Sequence, residues 1–135
     1  MKSWLILILT TFSLFPLEIL SQISNPSQTQ KRIALVIGNG NYLTSTLSNP
    51  ENDARAMDDV VKKLGFVVYK FENLNQSQMK KVMDEFGEKL KNNDVGLFYY
   101  AGHGIQSNGY NYLIPVDVHL TTEKQVEYDC VQADR

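Results

Sequence analysis

Three apolar runs, Arg32–Ile37, Phe66–Phe71 and Val95–Tyr100, alternate with two segments of helical periodicity, and this alternation restricts the fold more than any other feature. Arg32–Ile37 is apolar and β-branched after its first residue, which suits a central parallel strand covered on both faces. Ala54, Met57, Val60, Val61 and Leu64 recur at helical spacing, as do Met79, Val82, Met83, Phe86 and Leu90. Asn49 and Pro50 mark the first helix start, as cap and first helical residue, with Glu51 and Asp53 near the positive end of its dipole. Gly65 should stop that helix, and Asn75 or Ser77 should cap the second. Strand, helix, strand, helix, strand predicts an α/β fold: a parallel sheet with helices on its faces. Further on, Ser107-Asn-Gly109 predicts a turn into Tyr110–Ile114, a short β excursion. Asp129–Arg135 reads as the opening of another crossover helix.

The third run ends in Ala101, Gly102, His103 and Gly104, which leaves one imidazole standing free at a strand's carboxyl end. Open α/β sheets form their ligand crevices there. Glycines on both sides let a substrate backbone come close and leave the Gly104 N–H available to an oxyanion. A base beside bare backbone is what acyl transfer requires. The plainer alternative is a loop histidine that merely ends a strand.

The chain has 135 residues and a formal charge of −2, a single-domain length with no basic face for nucleic acid. Lys2 followed by the apolar stretch Trp4–Phe15, then Pro16 and a polar run, has the layout of a secretory signal peptide over residues 1–21. An uncleaved membrane anchor is the alternative, although the apolar core is short for a full span. Residues 22–30 read as a polar linker before the domain, and the protein is expected to be exported. With Cys130 as its only cysteine, the chain has no internal disulfide and depends on a packed core.

Six segments, in order, resemble the caspase-like cysteine peptidases, most closely paracaspases, orthocaspases and metacaspases. They are Ala34–Asn39, Asn41-Tyr42, Leu47–Ala54, Leu64–Phe66, Phe98–Gly104 and Tyr112–Asp117. The resemblance covers essentially all of residues 31–135. It implies the parallel-sheet three-layer sandwich of the caspase–haemoglobinase fold, its amino-terminal portion, acting on protein or peptide substrates. His103 matches the catalytic histidine, general base to a cysteine, and Gly104 the glycine whose N–H helps bind the oxyanion. Asp53 matches an acidic residue of the pocket for the residue preceding the cut, where it would pair with Arg or Lys. Its structural alternative is a helix-dipole partner.

Cys130 does not complete this pair. A parallel neighbour strand requires a crossover of a dozen or more residues, and Val118–Gln125 shows no helical apolar period. Cys130 is therefore expected in the core, and the family's nucleophile past Arg135, the domain being incomplete at its carboxyl end. A catalytically inactive binding or regulatory module of the same fold is the alternative. Gly38-Asn-Gly40 lacks the third glycine of a phosphate loop, because position 43 is Leu. A metal site from His103, Asp117 and His119 has no supporting pattern, and no acidic cluster suggests the Ca²⁺ site of some metacaspases. No cofactor or metal, no nucleic acid and, after signal cleavage, no membrane are expected.

Overall fold

The computed structural model describes residues 30–133. The expected signal peptide, residues 1–21, and the linker as far as residue 29 lie outside this range. Three parallel strands form the main sheet: β1 (Arg32–Gly38), β2 (Val67–Glu72) and β3 (Val95–Ala101), in the order β2-β1-β3. The helices α1 (Pro50–Lys63) and α2 (Gln76–Leu90) make the two crossovers, as the alternation predicts.

Burial of β1 on both faces makes it the central strand. Ile33, Leu35 and Ile37 pack into one cluster with Met79 and Phe86 of α2, so the Met and Phe stripe of that helix is core. Ala34 and Val36 point the other way and are fully buried, on the face where Gly38 meets α1. A Cβ at Gly38 would run into the Pro50 carbonyl and Ala54, so a glycine there lets the helix close on the strand. On its other side, β3 has no strand partner among the described residues, and Phe98 is 39% exposed, an apolar edge.

The helix ends follow local chemistry. Pro50 opens α1, but the Asn49 backbone is helical there and its side chain makes no cap bond; only its carbonyl is used, by the Asp53 N–H. Gly65, at φ 83°, closes the helix with N–H bonds from Gly65 to Lys62 and from Phe66 to Val61, a Schellman arrangement. At α2, Asn75 and Gln78 form a reciprocal capping box.

Beyond β3 a second sheet, in the order β4-β5-β6, stands beside the carboxyl end of the first. Its hairpin joins β4 (Gly104–Ser107) to β5 (Tyr110–Leu113) through Asn108 and Gly109, both at positive φ, as a two-residue primed turn requires. The expected helix from Asp129 does not form. Instead α3 (Gln125–Asp129) is a single turn, and Cys130 leaves it extended, at ψ 174°. β6 (Val131–Gln132) then pairs antiparallel with β5. Burial decides the outcome: Val131 is 1% exposed in the main core, and the Ala133 N–H reaches the Asn111 carbonyl, so pairing replaces helical continuation.

Candidate active site

The loops after β1 and β3 meet because those strands are adjacent and parallel. From β1 the chain crosses to β2 on one side while β3 lies on the other, a reversal that opens a crevice at the strands' carboxyl ends. His103 lies there, one residue past Gly102, and is half-buried.

Its ring is held on two sides. Nε2 lies 2.8 Å from the Ser45 carbonyl oxygen. A carbonyl only accepts, so Nε2 carries the hydrogen and the neutral ring keeps its lone pair on Nδ1. No hydrogen bond to Nδ1 is formed within the described residues. The Tyr42 ring packs on the imidazole, centroids 4.6 Å apart at 54°. Ser45 turns its carbonyl inward with φ 63°, the left-handed region that serine seldom occupies. Loop bonds brace this conformation: Leu47 N–H to the Gly40 carbonyl, the Thr46 hydroxyl to the Tyr42 carbonyl, Leu43 N–H to the Val116 carbonyl.

Below the ring, two tyrosine hydroxyls meet the His103 backbone. The Tyr42 hydroxyl accepts the His103 N–H at 2.8 Å, and the Tyr100 hydroxyl lies 3.0 Å from the His103 carbonyl. Both phenols stay protonated, since burial raises the Tyr42 pKa and carries that of Tyr100 far above its usual value.

Asparagines fix the loop base. The fully buried Asn39 bonds both the N–H and the carbonyl of Leu74, tying β1 to the loop before α2. The Asn73 side chain accepts from the Gly40 and Asn41 N–H groups and donates to Glu51. Those amides are thus occupied, so Gly38-Asn-Gly40 offers no phosphate cradle.

Gly104 begins β4 opposite Leu113 and is exposed. Asp53 is exposed in the first turn of α1, where its carboxylate makes no hydrogen bond or ion pair within the described residues. Cys130 is 3% exposed, packed with Tyr112 and Val126, and burial pushes its thiol up to about 11. Asp117, His119 and His103 bind separate partners: the Gln76 N–H, the Thr44 hydroxyl and the Ser45 carbonyl. An open cavity of about 830 Å³ runs along the outside of α2 from Met83 to Asn92, at the opposite end of β3 from His103, and its lining of surface carboxylates and lysines includes no histidine, cysteine or serine. The crevice at His103, not that groove, is the candidate site.

Comparison with known proteins agrees with this architecture. The caspase domain of the C14 peptidases matches residues 31–133. The chain belongs to the caspase family. It is 36% identical over 87 residues to human mucosa-associated lymphoid tissue lymphoma translocation protein 1, and 34% identical over 87 residues to the mouse homologue. Each match takes in 64% of this chain but only 11% and 10% of those relatives.

Sequence reasoning singles out His103, Gly104 and Asp53 as candidates but assigns no role to Tyr42, Ser45, Tyr100 or Asn39. Only Ser45 gives no signal at all, because what it contributes is a carbonyl.

Proposed function

We propose that this chain carries the base, the oxyanion donor and the specificity carboxylate of a cysteine endopeptidase that cuts protein chains after Arg or Lys. The observation that carries the reading is the Ser45–His103 bond, which leaves Nδ1 as the ring nitrogen that keeps its lone pair. In the reaction, Nδ1 takes the proton of a cysteine thiol and the thiolate attacks the scissile carbonyl. The Gly104 N–H donates to the oxyanion, and the protonated imidazole passes its proton to the leaving amine. Water then attacks the thioester with the same base, releasing the second product and the thiol.

Cys130 is unsuited to the nucleophile's part, being buried and weakly acidic. The attacking thiol is therefore assigned to a cysteine other than Cys130. Asp53 supports a preference for basic residues: it is an exposed carboxylate at the start of α1 with no partner among the described residues, and the loop leading into that helix carries Ser45. The leader-like composition of residues 1–21 supports action outside the cytoplasm.

The test is a peptide panel that differs only in the residue before the cut, assayed with the full-length gene product and its Asp53→Asn variant. Arg and Lys peptides should be cut, and the variant should lose at least about tenfold in kcat/KM on them, the scale of a lost charge-assisted contact. Preference for an acidic or apolar residue, or an unaltered variant, refutes the assignment of Asp53. Binding of such peptides without any cleavage favours a non-catalytic module.

A further inference from the structure

His103 stands between two glycines, the residues that leave a backbone most freedom. A base so placed should wander, yet every polar group of its backbone is bonded. Its N–H donates to the Tyr42 hydroxyl at 2.8 Å. Its carbonyl accepts from the Ile114 N–H and from the Tyr100 hydroxyl, each at 3.0 Å. The two hydroxyls are 3.0 Å apart, and both lie within reach of the Ile114 carbonyl, at 3.2 Å from Tyr42 and 3.0 Å from Tyr100. Two hydroxyl protons suffice: Tyr42 can donate to Ile114 while Tyr100 donates to His103.

Packing alone does not call for these oxygens. Phenylalanine would fill the same space without burying two hydroxyls. The oxygens also occupy the volume beside Gly102, where a Cβ would stand 2.5 Å from the Tyr100 hydroxyl and 2.6 Å from that of Tyr42. The glycine and the two hydroxyls form one device.

We propose that Tyr42 and Tyr100 are positioning residues, which clamp the peptide groups of His103 so that its ring keeps the Nε2–H bond to Ser45 and presents Nδ1 in one direction. This role rests on the peptidase reading and goes beyond it, since both tyrosines act through His103 and donate nothing to substrate. Tyr42 acts twice, through its hydroxyl on the peptide and its ring against the imidazole.

The experiment uses Tyr42→Phe and Tyr100→Phe in the full chain, read by amide hydrogen exchange at His103 and by ¹⁵N NMR of its ring tautomer. Neither readout requires catalysis. The parent should hold a single Nε2–H tautomer. Tyr42→Phe should speed exchange at the His103 amide by about tenfold or more and mix the tautomers. In the full-length gene product the same change should lower kcat about tenfold with KM within about twofold, as expected when only the transition state loses support. Should Tyr42→Phe fail to fold, Tyr100→Phe reads the carbonyl side of the clamp alone. Folded variants with parental exchange and parental tautomer overturn the clamp. A full-length product that never cleaves peptides, its clamp intact, overturns the peptidase reading instead.

Discussion

The Nε2 nitrogen of His103 donates to the backbone carbonyl of Ser45 at 2.8 Å, and Ser45 makes that contact from a left-handed backbone conformation. A main-chain oxygen thus takes the place that a carboxylate often fills beside a catalytic imidazole. Being neutral, it orients the ring without fixing a countercharge next to it. Because backbone supplies the contact, substitution at Ser45 acts through φ. Ser45→Gly should be tolerated and Ser45→Val should not, β-branched residues being strained at positive φ. Thermal melts of the two variants, with the His103 tautomer read by NMR, check this.

Gly102→Ala tests the close approach of the tyrosine hydroxyls. The new methyl group would sit within 2.6 Å of two oxygens that are both engaged in hydrogen bonds. Such overpacking should cost about 1–3 kcal/mol in a denaturant melt. Gly87, by contrast, lies on exposed α2 with open space around its Cα. Gly87→Ala should stabilise the chain by about 0.5–1 kcal/mol.

How much of this could be read from the sequence depends on the range of the forces involved. The strands, both helices and the Gly65 stop follow from periodicity and local chemistry, and they reappear within a residue or two. His103 stands out in the sequence because a glycine flanks it on either side at the end of an apolar run. The clamp was not: Tyr42 and Tyr100 lie 58 residues apart and meet only after β1 and β3 pair. β6 reads as helix for the same reason, since its two residues gain their partners from β5 and Val131 its burial from the main core. At Asn49 the local cap rule named the correct boundary but not the bond, because the backbone there is already helical.

Asn39→Ala should be among the costliest single changes in the loop base. It removes both bonds to Leu74 and strands the Leu74 N–H in a buried place, while the Leu74 carbonyl keeps the Val116 N–H. A loss of about 2–3 kcal/mol is expected by urea melt, with m unchanged. Asn39→Asp, which retains only the acceptor, should recover part of that loss at acid pH, where a protonated carboxyl can donate.

Two groups give the stability profile its slopes. Cys130 has its folded pKa raised to about 11 by burial. Its contribution is full below the unfolded thiol value, about 8.5, and is lost as pH rises through the folded value. At pH 8 only about one thiol in a thousand is ionised, so alkylation should be slow until the chain unfolds. Glu72 behaves oppositely, its pKa lowered chiefly by the hydrogen bond from Arg55. Its contribution is present above the unfolded carboxyl value, about 4.3, and is lost as pH falls through the lower folded one. Arg55→Ala should flatten that acid limb slightly, and less in high salt, because the pair is largely exposed. Melts from pH 2 to 11 check both signs.

The most direct measurement is cleavage of Arg- and Lys-containing peptides by the full-length gene product, compared with its His103→Ala and Cys130→Ala variants. The account predicts thiol-reagent-sensitive cleavage that disappears in His103→Ala and persists in Cys130→Ala. Cleavage that survives without His103, or that depends on Cys130 in a variant still folded, would contradict it.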